Sequence, residues 1–78
     1  MRTYRRRQQF INDIGFSPSF MNKATAGLKK YQERYPNAVI RSGRLILIDA
    51  EAMYDWLKYR EALDMNVTVP PFRREEYQ

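Results

Sequence analysis

A first helix over residues 4–14 is predicted by apolar side chains at helical spacing, namely Phe10, Ile11 and Ile14. Gly15 follows directly, and glycine readily adopts the left-handed conformation in which many helices end. The hydrophobic pattern therefore predicts that the first helix stops at this glycine.

A second helix is predicted to begin at Ser17 and Pro18 and to end before Pro36. A serine hydroxyl can accept a hydrogen bond from the free amides of a first turn, and the fixed φ of proline suits the first helical position. The apolar positions between these limits form one buried stripe at helical spacing. The stripe consists of Met21, Ala24, Leu28, Tyr31 and Tyr35.

Two short runs rich in β-branched and aliphatic residues, 38–41 and 44–48, predict two strands after the second helix. Ser42 and Gly43 separate the runs, and a two-residue connection of this kind is typical of a tight hairpin. An arginine stands on each side of the predicted tip.

A third helix is predicted to begin at Asp49, whose carboxylate can cap the first turn. Glu51 follows in that turn, where the helix dipole favours negative charge. The predicted buried stripe contains Met53, Trp56, Leu57 and Leu63.

Residues 65–78 lack helical periodicity and contain two adjacent prolines, which predicts an extended C-terminal tail. Residues 1–64 are predicted to form one domain, since a chain of 78 residues can bury only a single small core.

The absence of histidine and cysteine excludes disulfide scaffolds, thiolate zinc sites and enzymes that use a cysteine nucleophile or a Ser-His-Asp triad. No catalysis, metal or cofactor is expected.

No membrane or export segment is predicted. The longest apolar run, residues 45–48, is far shorter than the roughly 20 residues that a spanning helix needs. The basic N-terminus is followed by polar residues where a signal peptide would have an apolar segment. A cytoplasmic protein is the default expectation.

Charge is distributed unevenly along the chain. The net charge of +5 comprises +8 from residues 1–48, −3 from residues 49–64 and zero from the tail. A basic excess of this kind favours an anionic partner. The order of helix, turn, helix, arginine-flanked hairpin and helix describes a small α+β winged helix-turn-helix, which binds double-stranded DNA through its second helix and its wing.

The outward face of the second helix supplies the predicted base contacts. Asn22 has the groups to read adenine, Lys23 those to read guanine, and Ala26 the small side chain that suits a thymine methyl. The predicted DNA-binding residues of this helix are Ser17, Ser19, Asn22, Lys23, Thr25, Ala26, Lys29 and Lys30. Those outside it are Arg5, Arg6 and Arg7, which would clamp phosphates, and Arg41, Ser42, Gly43 and Arg44 at the hairpin tip.

Part of this chain resembles a known family. Residues 14–24 look like the turn and second helix of a helix-turn-helix. Residues 42–57 are similar to the hairpin and following helix of excisionase-type, MerR-like winged-helix domains, which often end in a Trp-Leu pair, here Trp56 and Leu57. The resemblance covers about residues 5–63.

The resemblance implies a recombination directionality factor of a phage or mobile element, which bends attachment-site DNA and assists an integrase. By the same resemblance Asn22 and Lys23 are major-groove readers, Arg41 and Arg44 form the wing, and residues 65–78 contact the integrase. Binding to repeated sites would allow cooperative self-association on DNA.

Other interpretations stay open at the level of sequence. A small transcriptional regulator shares the same chemistry, and a protein-interaction module would use the tail to dock on a host factor. Surface lysines on an amphipathic helix are often only solvated charge, and arginines beside a turn can simply protect a sheet edge. Asp49, Glu51 and Asp55 are better explained by helix capping than by a metal site.

Overall fold

Six regular elements and a final short turn of helix follow one another in the computed structural model, which describes residues 3–78. Arg2, which contributes to the basic charge of the N-terminal part, lies outside the described residues. Among residues 3–78 the α-helices are α1 (Arg7–Ile14), α2 (Pro18–Lys30) and α3 (Ala50–Asp64), and the strands are β1 (Tyr4–Arg6), β2 (Val39–Ser42) and β3 (Leu45–Asp49). A 3₁₀ helix spans Arg74–Tyr77. The predicted α+β class is confirmed.

The three strands form an antiparallel sheet in the order β1-β3-β2. The predicted hairpin is confirmed, but its turn lies one residue later than expected. Ser42 pairs with Leu45, so Gly43 and Arg44 form the two-residue connection. Gly43 has a φ of 61°, a value that glycine adopts without steric cost and that suits the first position of a tight hairpin turn.

Residues 4–6 form a strand, so the prediction of a helix over this segment was wrong. Arg5 pairs with Ile48 and Arg6 with Leu47, which gives β3 a partner on its second edge. Those partners lie more than 40 residues away in sequence, and pairing of this kind overrides weak local helix propensity. The helix begins at Arg7, and Gln9 Oε1 accepts from the backbone N–H of Arg6 at 2.8 Å.

The local signals for helix ends are confirmed. Gly15 has a φ of 82° and donates to the carbonyl of Ile11 at 3.1 Å, which ends α1 in the left-handed manner. Ser17 Oγ accepts from the backbone N–H of Phe20 at 3.1 Å at the start of α2. Asp49 caps α3 by accepting from the backbone N–H of Ala52 at 3.3 Å.

Helix α2 ends at Lys30, five residues earlier than predicted. A turn over residues 31–35 follows, in which the N–H groups of Arg34 and Tyr35 both bond to the carbonyl of Tyr31. Tyr35 precedes Pro36, and a residue before proline is disfavoured in the helical conformation. The turn keeps Tyr35 buried, as its place in the apolar stripe predicted.

The core lies where α2 and α3 pack against each other and against the sheet. The predicted residues Phe10, Met21, Ala24, Leu28, Met53 and Trp56 are all buried. Trp56 rests directly on α2 at Gly27, where an added Cβ would lie only 2.4 Å from the indole nitrogen. Ile14 departs from the predicted pattern, because it occupies the last position of α1 and is 41% exposed.

The C-terminal segment folds back onto the domain, so the prediction of a wholly extended tail was wrong. The ring of Phe72 packs edge-on against Tyr35 at 5.4 Å between centroids. Arg74 Nη1 lies 2.7 Å from a carboxylate oxygen of Asp49 and 3.0 Å from one of Glu51. Both carboxylates are buried and need a partner, which the returning chain supplies.

Candidate nucleic-acid interface

Two adjoining grooves on one face of the domain collect most of the predicted DNA-binding residues. The groove between α2 and the hairpin is lined by Arg7, Asn22, Thr25, Ala26, Lys29, Arg41 and Ile46. The groove between α1 and the hairpin is lined by Arg6, Arg7, Gln8, Ile11, Pro18, Arg44, Leu45 and Ile46. Arg7 and Ile46 belong to both, so the two grooves form one continuous face, called here the basic surface.

Helix α2 contributes a single stripe to the basic surface. Asn22, Ala26 and Lys29 follow one another at spacings of four and three residues, which places them on one side of a helix. All three are exposed, whereas Ala24 and Leu28 on the opposite side are buried. Helical periodicity therefore predicted the exposure of these three residues correctly.

The hairpin contributes the second side. Arg41 of β2 pairs directly with Ile46 of β3, and directly paired residues of an antiparallel sheet project on the same side. This pairing puts the Arg41 side chain at the mouth of the groove beside α2. Arg44 occupies the turn itself and lines the neighbouring groove, so the two arginines stand apart along the hairpin.

Arg7 joins the two sides. Its Nη2 donates to the carbonyl oxygen of Pro18 at 3.0 Å and to Asn22 Oδ1 at 2.8 Å. Arg7 is the first residue of α1, and both acceptors belong to the first turns of α2. The contact was not visible in the sequence, because the paired side chains are 15 residues apart and no local pattern connects them.

The cations of the basic surface have no acidic partner within residues 3–78. The salt bridges of the described chain use Arg5, Lys30, Arg34 and Arg74. The side chains that remain without a carboxylate partner on the basic surface are those of Arg6, Arg7, Lys29, Arg41 and Arg44. Their unneutralised charge makes this face a strong attractor for anions.

Three predicted residues lie away from the basic surface. Arg5 bridges to Asp13 at 3.4 Å and lines a separate groove, because successive residues of a strand face opposite sides. Lys30 lies 3.7 Å from Asp64 at the end of α3. Lys23 is two turns earlier on the same side of α2, so it also faces that end of α3.

The electrostatics at the end of α3 agree with this placement. A hydrogen bond from the Tyr31 hydroxyl holds the pKa of Asp64 below its ordinary value, and the charges of Lys30 and Lys23 lower that pKa further. These groups are exposed, and exposed pairs contribute little to stability. The charge of Lys30 is thus engaged locally by Asp64, and Lys30 lines neither groove of the basic surface.

The remaining predicted residues have small or structural side chains. Ser17 is occupied as the cap of α2, and Ser19 is exposed in the first turn of that helix. Thr25 Oγ1 donates to the backbone carbonyl of Met21 at 2.8 Å. Ser42 and Gly43 are exposed at the hairpin tip, where Ser42 ends β2 and Gly43 begins the turn.

A second polar cluster lies at the junction of α3 with the C-terminal segment. It is called here the buried network and consists of Asp49, Glu51, Asp55, Arg34, Tyr35, Arg74 and Tyr77. Asp55 is 1% exposed and accepts from Arg34 Nε at 2.9 Å and from the Tyr35 hydroxyl at 2.6 Å through the same oxygen. Its other oxygen accepts from the Tyr77 hydroxyl. Arg34 Nη2 also lies 2.9 Å from Asp55, but without the angle of a hydrogen bond.

The buried network is structural. Each of its carboxylates is occupied by arginine or tyrosine, and no group of acidic side chains within residues 3–78 is arranged to hold a metal ion. Sequence reasoning missed the network, since Arg34 and Arg74 looked like ordinary surface charge. The raised pKa values of Tyr35 and Tyr77 nevertheless make the network detectable through the pH dependence of stability.

Alkaline pH should destabilise the fold through Tyr35. Burial raises the pKa of Tyr35 above its ordinary 10.0, and the hydrogen bond to Asp55 raises it further. Above pH 10 the unfolded chain loses this proton while the folded chain keeps it, so the contribution is complete below pH 10 and declines above it. The free energy of unfolding should fall by up to about 1.4 kcal/mol per pH unit for this group.

Urea titrations at a series of pH values between 8 and 11 measure this slope. Tyr35→Phe should be less stable at pH 8 but should show a shallower decline of the free energy of unfolding above pH 10, because the variant lacks the hydroxyl group whose pKa is raised. Tyr77 has its pKa raised by the same two causes, so part of the slope should persist in this variant. An identical slope in the variant and the parent would contradict the assignment to Tyr35.

No helix within residues 3–78 combines the length and the apolar character needed to cross a membrane.

Comparison of the chain with family models, curated proteins and solved structures yields no match. The feature of the molecule that indicates its function is therefore the basic surface.

Proposed function

We propose that this chain binds double-stranded DNA sequence-specifically as a winged helix-turn-helix protein. Helix α2 enters the major groove, and the β2–β3 hairpin acts as the wing. The observation that carries the proposal is the convergence of Arg6, Arg7, Lys29, Arg41 and Arg44 on one face without carboxylate partners.

The shape of the surface favours duplex DNA over a diffuse anion such as a lipid headgroup layer. An α-helix fits the width of the major groove, and the exposed stripe of α2 is narrow, with small Ala26 between the polar Asn22 and Lys29. The hairpin beside it presents Arg41 and Arg44 at separate points, which suits phosphates on both sides of the adjoining groove. The apolar side chains of Met21 and Leu28 on α2 are buried in the core, so the exposed stripe of Asn22, Ala26 and Lys29 offers a membrane no large apolar side chain.

Within this proposal, the resemblance to excisionases indicates that the DNA is an attachment site. A protein of that type acts by bending attachment-site DNA and by helping an integrase, and it performs no chemistry itself. A contact with an integrase through residues 65–78 stays a prediction. Its accessible part is the loop after α3, where Met65 and Val67 are 75% and 53% exposed, because the end of the segment is docked on the domain.

Salt titrations of duplex binding test the proposal. Five cations that each release one counterion give a slope of about −4 to −5 for log affinity against log salt. The double variant Arg41→Ala/Arg44→Ala should reduce the magnitude of this slope by about two and weaken binding to every duplex. Fluorescence anisotropy of a labelled attachment-site fragment measures both quantities.

Lys58→Ala is the matched control. Lys58 is exposed on α3, outside the basic surface, and its removal changes the net charge by the same amount per residue. Affinity and slope should stay close to those of the parent chain. Duplex binding that does not depend on salt, or an equal loss in the control, would contradict the proposed interface.

Recombination assays then separate the two DNA-binding roles. Bending of the attachment-site fragment together with a changed integrase outcome would support the excisionase role. Repression of an adjacent promoter with no effect on an integrase would instead identify a transcriptional regulator.

A further inference from the structure

The contact between Arg7 and Asn22 lies at the centre of the basic surface. One nitrogen of the Arg7 guanidinium donates both to Asn22 Oδ1 and to the carbonyl oxygen of Pro18. Pro18 and Asn22 are about one turn apart on α2, so Arg7 is attached to this helix at two points. Arg7 is half-buried, whereas Asn22 is exposed to an incoming ligand.

This contact fixes the orientation of the Asn22 amide. A side-chain amide carries its acceptor oxygen and its donor nitrogen on opposite sides of the terminal carbon, and a guanidinium group has only donors. Arg7 can therefore hold the oxygen but not the nitrogen. The oxygen is turned toward Arg7, and the two N–H groups of Nδ2 remain for the ligand.

The orientation changes which base Asn22 can read. Bidentate recognition of adenine needs the amide oxygen to accept from N6 while the amide nitrogen donates to N7. In this protein the oxygen already accepts a charge-assisted hydrogen bond, which is roughly twice as strong as a neutral one. The geometry thus works against the adenine contact that the sequence of α2 predicted.

Guanine has the complementary edge. Its N7 and O6 are both acceptors, and no other base offers two acceptors in the major groove. Nε and Nη1 of Arg7 have no partner within residues 3–78, so Arg7 and Asn22 together present donors only. A pair that offers only donors matches the two acceptors of guanine, whereas adenine presents the donor N6 beside its acceptor N7. This difference discriminates guanine from adenine.

We propose that Arg7 and Asn22 act as one donor-only pair that selects a guanine, with Arg7 as the positioning residue that decides this preference. The inference rests on the proposed duplex binding and specifies its base readout. Arg6 is the natural control, because it carries the same charge next to Arg7 and faces the same surface without contacting Asn22.

Selection of binding sites from a random duplex library tests the inference. The parent chain and the variants Asn22→Ala, Arg7→Ala and Arg6→Ala are compared, with circular dichroism to verify that each one folds. The position where Asn22→Ala removes the preference locates the contact, and the parent chain should select guanine there. Arg7→Ala should lower the guanine preference roughly tenfold and raise that for adenine. Arg6→Ala should weaken binding to all sequences and leave the preference unchanged.

Asn22→Asp gives a second route that keeps a partner for Arg7, should Arg7→Ala fail to fold. Its carboxylate offers only acceptors, so the guanine preference should be lost in a folded chain. Adenine at the Asn22-dependent position of the parent, guanine retained in Arg7→Ala or Asn22→Asp, or no position that responds to Asn22→Ala would each overturn the inference while leaving duplex binding intact. Failure of the parent chain to bind any duplex at low salt would overturn the proposed function as well.

Discussion

Asp55→Asn is expected to lower the free energy of unfolding by about 3–5 kcal/mol, because it removes one partner of a buried ion pair and leaves the charge of Arg34 uncompensated. Asp55 is 1% exposed, and the Arg34 side chain is 14% exposed. Asparagine keeps the shape of the side chain but has one acceptor oxygen, whereas Tyr35 and Tyr77 donate to different oxygens of Asp55. The loss therefore reports the charge together with one hydrogen bond, and not a cavity.

Thermal and urea unfolding of the variant measure this effect. For a domain of this size the midpoint temperature should fall by more than about 12 °C, since each kcal/mol corresponds to roughly 4–8 °C. Small domains have only about 5–15 kcal/mol in total, so the variant should be close to the limit of folding.

Asp64→Asn is the matched control on the same helix. Asp64 also accepts from a tyrosine and faces a cation, but it is exposed, and exposed pairs contribute little to stability. Replacing both members of the buried pair, as Asp55→Leu/Arg34→Met, should recover part of the loss by removing the unpaired charge. Equal losses in Asp55→Asn and Asp64→Asn would contradict the importance of burial.

The buried network also marks the limit of prediction from sequence. In the printed sequence, nothing distinguishes Arg34 and Arg74 from a surface arginine. Their carboxylate partners lie 21 to 25 residues away. Asp49 and Glu51 could be assigned to the first turn of a helix, because capping is a local interaction. Their second partner, Arg74, could not be assigned, because chain return depends on the complete fold.

The same division between local and distant interactions explains the errors at the N-terminus. Gly15 and Ser17 fix the ends of α1 and α2 through bonds to residues no more than four positions away, and both ends were predicted. Strand β1 exists because β3 lies beside it, more than 40 residues later in the chain. That pairing also turns Arg5 away from Arg6, so three consecutive arginines do not act as one cluster.

The division between local and distant interactions also applies to the candidate interface. The stripe of Asn22, Ala26 and Lys29 could be read from helical spacing, and the arginines of the hairpin from its turn. The contact of Arg7 with Asn22 joins two helices, and so only the folded chain reveals it. The positions of these residues on α2 and on the hairpin were thus predictable, while the hydrogen bond between Arg7 and Asn22 was not.

Gly27→Ala is expected to destabilise the protein by about 1–2 kcal/mol, opposite in sign to its effect in an unconstrained helix. Alanine is favoured over glycine inside a helix by about 1 kcal/mol. Here a Cβ would lie 2.4, 2.5 and 2.7 Å from three atoms of the Trp56 indole, distances at which one of the groups must move. Added atoms in a packed core typically cost 1–3 kcal/mol.

The surroundings of Trp56 leave the indole little freedom to yield. It is 3% exposed, the ring of Phe20 lies 6.0 Å away, and the guanidinium of Arg60 lies 5.5 Å from its ring. Displacement of the indole would move α2 away from α3. Because α2 carries Asn22 and Lys29, the folded fraction of the variant should also bind duplex DNA more weakly.

Intrinsic fluorescence measures the substitution directly, because Trp56 is the only tryptophan of the chain. Urea unfolding followed by this signal should show a lower midpoint in Gly27→Ala. In a Trp56→Leu background, which lacks this fluorescence and is followed by circular dichroism, the same substitution should be neutral or stabilising, since the clash is gone and only the helix preference remains. The coupling energy between the two positions should then reach about 2 kcal/mol, within the range for residues in contact. A stabilising effect of Gly27→Ala in the parent chain would show that α2 and α3 are not packed at the distance described.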